Sequence, residues 1–170
     1  MEDPTEAPAV LAPKDDLKPL DPAVVRVWGI KIGLGMALLC IAALIVELIW
    51  FVKGTARIPF VISGSVLLLS VVMAIFIPRL RYRFWRYELR DQELFLRRGI
   101  INRVSTIVPL RRIQHLDVSQ DIIEKEFALG KLIVHTAGTR SSDVIVPGLA
   151  IDVAETLRDT VKDYILEDTL

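Results

Sequence analysis

Residues Ile58 to Ile77, IPFVISGSVLLLSVVMAIFI, run for twenty positions without a charge, and RLRYRFWR follows directly from Arg79. At ~1.5 Å rise per residue, twenty apolar residues cross the ~30 Å hydrocarbon core of a bilayer. Arginines and aromatics directly behind such a run mark a membrane–water boundary. Whatever follows Arg79 is therefore expected to work beside a membrane.

A second apolar segment precedes it, from about Trp28 to Val52, and only KGTAR, Lys53 to Arg57, joins the two. So short a link predicts an antiparallel hairpin over residues 26–78, with helices at about 28–52 and 58–77. Lys31 stands at the start of the first helix, where its stem can snorkel to the headgroups. Glu47 lies near the far end, where an ionised group costs less than at the bilayer centre, and within reach of Lys53 or Arg57. Gly29, Gly33 and Ala37 recur at four-residue spacing, as do Ser70 and Ala74 in the second helix. Rows of small residues allow helices to pack closely in lipid. Arg26 and Lys31 flank the first helix, Arg79, Arg81, Arg83, Arg86 and Arg90 follow the second, and the loop holds only Lys53 and Arg57. The positive-inside rule then puts both termini in the cytoplasm, on a multi-pass protein.

The chain is 52% hydrophobic with a mean hydropathy of +0.45, and the apolar excess is confined to residues 28–77. Net charge is +0, yet the signs are segregated: Arg79 to His115 holds ten arginines and three acids, Leu116 to Leu170 eleven acids and five bases. A basic band beside an anionic leaflet is the expected arrangement for a membrane-facing surface. The arginines crowd the membrane exit and alternate with Tyr82, Phe84, Trp85 and Tyr87, which fits an interfacial belt rather than a nucleic-acid surface. Residues 1–25 carry five of the nine prolines among scattered charges and read as a disordered tail. Their acids make a poor signal peptide.

Cys40 is the only cysteine, so neither an intrachain disulfide nor a cysteine metal cluster can form. His115 and His135 are the only histidines, too few for most hydrolase or metal sites. Phosphate-binding, dinucleotide, nucleophile-elbow and zinc-protease motifs are all absent from the sequence. His135 with Ser141, Ser142 and Asp143 could form a small polar site, but TAGTRSSD reads better as a hairpin turn. Neither an enzyme nor a cofactor or metal site is expected.

From residue 79 to 170 the pattern is short strands and then one helix. In FWRYELRD, Trp85, Tyr87 and Leu89 alternate with Arg86, Glu88 and Arg90, the period of a strand. ELFLRRG ends in a turn glycine, and INRVSTIVPL, IQHLDVSQ, KLIVHTAG and DVIVPG are further β-rich runs. DIIEKEF suits either a helical turn or a strand edge. From Ile151, residues Ala154, Leu157, Val161, Tyr164 and Ile165 give the apolar stripe of an amphipathic helix, with Asp152 and Glu155 as a capping-box start. A bent antiparallel sheet plugged by that helix buries both apolar faces.

These residues resemble the bacterial pleckstrin-homology (PH)-like membrane proteins over roughly Ile30 to Ile165. The likeness rests on Trp85 and Tyr87 leading the first strand, Leu94 with Gly99-Ile100-Ile101, Arg112 to Val118 (RIQHLDV), and Gln120 to Gly138 with its Phe-x-Leu-Gly turn. The resemblance implies a mainly β, α+β PH-like barrel of about seven strands with a C-terminal capping helix, held at the inner membrane of a bacterium. It implies no particular ligand. Two functions follow as expectations. One is a non-enzymatic scaffold that binds protein partners or anionic lipid through Arg79, Arg81, Arg83, Trp85 and Arg86, and self-associates through Gly29, Gly33 and Ala37. The other is a small transport or permeability factor whose oligomeric path includes Glu47.

Overall fold

The computed structural model describes residues 17–54, 60–137 and 143–167. Two helices, α1 (Val24–Val52) and α2 (Val61–Phe84), pack against each other as a hairpin, and both are long and apolar enough to cross a membrane. Exposed apolar side chains cover α1 from Ile30 to Val52 and α2 from Val61 to Leu80. Both helices depart from the predicted bounds. The first begins at Val24, and the second runs on through Pro78 to Phe84, carrying the arginines on helix rather than on a linker. Arg57 and the rest of 55–59 lie outside the described residues.

Proline is normally costly inside a helix because it leaves the carbonyl four residues earlier without a donor. Here that carbonyl belongs to Ala74, and it faces Gly29 of α1, where an added Cβ would stand 3.3 Å away. A backbone with no side chain thus lets α1 close on the exposed carbonyl. At the other end of the hairpin, Glu47 is only 4% exposed, and its carboxylate accepts the N–H groups of Ile62 at 3.0 Å and Ser63 at 3.1 Å. The first N–H groups of a helix have no partner within it. Glu47 supplies an acceptor for α2 from the neighbouring helix.

The β-rich domain consists of two antiparallel sheets that do not close into a barrel. β1 (Lys18–Pro19), β2 (Arg86–Leu89), β3 (Glu93–Arg98) and β4 (Val104–Pro109) form one in that order. β5 (Ile113–Ser119), β6 (Leu129–Thr136) and β7 (Asp143–Ala150) form the other. Pro109 and the 3₁₀ turn Leu110–Arg112 separate β4 from β5, so the chain turns a corner instead of continuing the ladder. α3 (Ile122–Glu126) resolves the ambiguous DIIEKEF as a helix held by a capping box between Asp121 and Glu124. α4 (Ile151–Glu167) covers the second sheet with Ala154, Leu157 and Val161 buried. Asp152 lies inside its first turn rather than at its cap.

The expected boundary between tail, hairpin and domain does not hold. Residues 1–16 lie outside the described residues, but the rest of the predicted tail belongs to the domain. Lys18 and Pro19 pair with Tyr87 and Arg86 of β2, and Leu20 is buried. Val24, Val27 and Trp28, the first turns of α1, sit in the same core as Trp85, Leu94, Leu132 and Val146. Burying such side chains stabilises by about 1.5–3 kcal/mol each. The packing requires Gly148, whose φ is +61° and where a Cβ would lie 2.3 Å from Val24 Cγ2. The Gly148 carbonyl also accepts the N–H of Asp21 at 2.9 Å.

Lys31 completes the joint. Its Nζ donates to Asp121 and, at 2.9 Å, to Glu124, so it bridges both members of the α3 capping box instead of reaching for headgroups. Glu124 is buried and Asp121 half-buried. Partial burial raises the Asp121 pKa, but the hydrogen bonds from Lys31 and the Glu124 N–H outweigh it and hold the group below the usual carboxylate range.

Lys31→Met should destabilise the detergent-solubilised protein by about 1–2 kcal/mol at neutral pH, between the values for exposed and buried pairs. Because the folded-state pKa of Asp121 is depressed, its share is present above the unfolded value of about 4 and lost as pH falls through the folded one. Thermal unfolding at descending pH should show the gap between wild type and variant narrowing only below about pH 4. Glu47→Ala should speed amide exchange at Ile62 and Ser63 about five- to tenfold, the factor expected for a lost cap. Exchange at mid-helix Leu69 should not change; equal acceleration along all of α2 would mean that Glu47 is not a cap.

Candidate functional site

The helical continuation of α2 places Arg83 and Arg86 where β2 begins, and the register of the first sheet decides what meets them. Arg86 stands directly opposite Arg97 on β3. Like charges in that position repel, at a cost of about 0.2–1 kcal/mol. β3 ends at Arg98, and the turn to β4 contains Gly99 and Arg103. Gly99 has φ +111°, and a Cβ there would overlap the Asn102 carbonyl oxygen at 1.9 Å, so the tight turn excludes any side chain. The result is a cleft of about 190 Å³ lined by Arg83, Phe84, Arg86, Arg97, Arg98, Gly99 and Arg103.

Five arginines therefore line one cleft. Among the described residues no carboxylate lies within ion-pair distance of Arg83, Arg86, Arg97, Arg98 or Arg103. Arg86 Nη1 is fixed by the carbonyls of Trp85 at 2.6 Å and Tyr82 at 3.2 Å, which leaves the rest of its planar fork for an anion. Arginine matches phosphate or carboxylate oxygens in bidentate geometry and loses less hydration than lysine on doing so. The cleft is smaller than the ~300 Å³ at which whole-ligand pockets begin, and fits a single anionic group.

The five residues named from sequence as the contact surface divide three ways. Arg83 and Arg86 line the cleft. Arg79 and Arg81 lie nearer the bilayer: Arg79 turns back to the Ile75 carbonyl at 3.0 Å, and Arg81 stacks over the Trp28 ring at 4.4 Å while standing near enough to Arg98 for the charges to repel. Trp85 is 4% exposed and belongs to the domain core, as does Tyr87, so neither ring serves an interfacial belt. Arg97, Arg98 and Arg103 join Arg83 and Arg86 through the strand register and the β3–β4 turn, which spacing along the sequence does not fix. Arg111 and Arg112 fall at the opposite end of β4 and are not part of the cleft.

Of the helix-packing set, Gly29 is used within the hairpin. A Cβ at Gly33 would meet nothing within 4 Å, and Gly33 and Ala37 border an apolar groove of about 350 Å³ with Cys40, Leu67, Ser70 and Ala74. Cys40 Sγ lies 3.5 Å from Ser70 Oγ across that groove.

Two further polar places carry less. A groove of about 480 Å³ between β5 and α4 contains Arg158 and Lys162, but Arg158 is already held by Asp159 at 2.8 Å. On β6, His135 lies between Asp143 at 2.7 Å and Asp117 at 3.2 Å, beside His115. The Asp143 hydrogen bond, above all, raises its pKa and favours the imidazolium. Ser141 and Ser142, which the sequence offers as companions of this histidine, fall in 138–142, outside the described residues. Among the described residues no group of three or more histidine, cysteine or acidic side chains is placed to hold a metal ion.

Comparison with known proteins gives this geometry a family. The bacterial PH domain family matches residues 29–165. The UPF0699 transmembrane protein YdbS of Bacillus subtilis is 33% identical over 143 residues, covering 84% of this chain and 88% of that protein. The UPF0699 transmembrane protein YdbT of the same organism is 25% identical over 108 residues, 63% of this chain and 21% of its own length. No solved structure gives a significant match. With two membrane-length helices fused to a two-sheet domain and its closing helix, this chain is a transmembrane protein that belongs to the bacterial PH domain family.

Proposed function

We propose that the chain is a non-enzymatic binding module of the bacterial inner membrane. Both termini lie in the cytoplasm, and the arginine cleft holds the phosphate of anionic phospholipid headgroups. One observation carries the reading: five arginines with no acidic partner among the described residues line one cleft where the hairpin meets the domain, with two of them opposed across a β-ladder. An anion between Arg86 and Arg97 converts a repulsive pair into a bridged one. The excess of basic residues at the hairpin base over its far loop supports the orientation, since that end then faces the anionic inner leaflet. Two helices already anchor the protein, so headgroup binding serves to fix the domain against the leaflet rather than to recruit it. Glu47, the basis of a transport reading, is occupied in capping α2.

Self-association is a second reading, favoured by the groove at Gly33 and Ala37, which faces lipid with no side chain filling it. A second hairpin seated there gives the platform on which a membrane partner protein is held.

The cleft is tested on the full chain, because the domain core needs Val24, Val27 and Trp28 from α1. In nanodiscs, replacing neutral phosphatidylcholine in part with phosphatidylglycerol should raise the unfolding temperature. The gain should shrink in high salt and vanish in an Arg97→Gln, Arg98→Gln, Arg103→Gln variant, at ~1 kcal/mol per arginine. Equal stability in both lipids overturns the headgroup reading. For self-association, Gly33→Leu should convert the dimer band in blue-native electrophoresis to monomer; unchanged migration removes that reading.

A further inference from the structure

The turn that closes the arginine cleft also carries the most exposed large apolar side chain among the domain's described residues. Ile101 is 100% exposed and Ile100 beside it 38%. Two adjacent branched aliphatic side chains at the tip of a β-turn gain nothing in water, and exposing one large apolar side chain forgoes about 1.5–3 kcal/mol of burial. Gly99 leaves the turn little choice of shape, so the tip is held out rather than folded back on the sheet.

Its position relative to the hairpin gives it an occupant. α2 leaves the apolar belt at about Pro78, and Arg81 follows within a single turn of helix. Arg98 at the end of β3 lies close to Arg81, and α2 touches β3. β3 runs antiparallel to β2, which itself continues from α2, so β3 heads back toward the bilayer. Past Arg98 the chain enters the turn, and Ile100 and Ile101 stand at its tip, at the end of the sheet next to α2. Around them stand Arg97, Arg98 and Arg103, which complement the negative charge of an anionic leaflet.

We infer that the β3–β4 turn is a membrane-inserted wedge, with Ile100 and Ile101 entering the acyl–headgroup boundary of the leaflet from which the hairpin emerges. The inference rests on the headgroup reading of the cleft and deepens it. The arginines take the phosphates, and the isoleucines behind them take the first methylenes of the same lipids. Polar groups flanking an apolar tip are what interfacial segments use to sit at that depth. Hairpin and wedge together give the domain two separated attachments, and so one rotational setting about the hairpin axis.

The test uses the full chain in nanodiscs, in a Cys40→Ser background, with a spin label placed by Ile101→Cys or, as control, by Gln92→Cys at the opposite end of β3. In phosphatidylglycerol-containing discs the label at 101 should be several-fold less accessible to a water-soluble nickel relaxant, and more accessible to oxygen, than the label at 92. If 101 is as accessible to nickel as 92 while phosphatidylglycerol still stabilises the protein, the wedge is overturned and the headgroup reading stands. If the label at 101 is protected equally in pure phosphatidylcholine, the wedge stands and anionic selectivity of the cleft falls. Aqueous exposure at 101 with no effect of phosphatidylglycerol overturns both.

Discussion

The burial of Val24, Val27 and Trp28 in the β-domain core is the contact on which everything else depends. A membrane helix normally leaves the bilayer into a linker, and domains joined that way move independently. Here α1 starts inside the domain, and α2 runs as helix until Trp85, also a core residue, turns the chain into β2. Gly148 lets β7 close on Val24, and Lys31 ties α1 to the α3 capping box. Hairpin and domain share one core. The arginine cleft exists only because this sharing sets β3 beside the end of α2.

The hairpin is built on the same economy of partners. In lipid a backbone polar group finds no water, so every irregularity needs an answer from the protein. Pro78 strips the Ala74 carbonyl of its donor, and Gly29 brings α1 up to it. The N–H groups that open α2 have no acceptor in their own helix, and the Glu47 carboxylate reaches them from α1. A buried carboxylate in a membrane helix ordinarily marks an ion path. Here two backbone donors hold it, so structure accounts for it.

Much of the fold was legible because period and length speak plainly. Two apolar runs gave the helices, alternation in Trp85, Tyr87 and Leu89 gave the face of β2, and the stripe from Ala154 to Val161 gave α4. The failures have physical causes. Trp85 and Tyr87 stand among arginines behind an apolar run, and an interfacial aromatic and the first core residue of a fused domain look alike in that setting. α3 is five residues long, too short for a helical period to emerge. Leu20 is one apolar residue among prolines and charges, so its burial could not be read before β1 was seen to pair with β2. The cleft was half visible: ten arginines were countable, but which five line it depends on the Arg86–Arg97 register and on the turn at Gly99. Expectation of a closed barrel failed at Pro109, where the chain turns a corner between the sheets.

The glycine at 148 has one more effect. Because Val24 rests directly on that backbone, with no slack between them, the lobe must follow any lean the two rods adopt when the surrounding lipid becomes thinner or thicker. Helix pairs respond to such mismatch by tilting. A protein jointed this way carries rods and lobe as a single lever, so the leaflet that grips one end also sets the angle of the other.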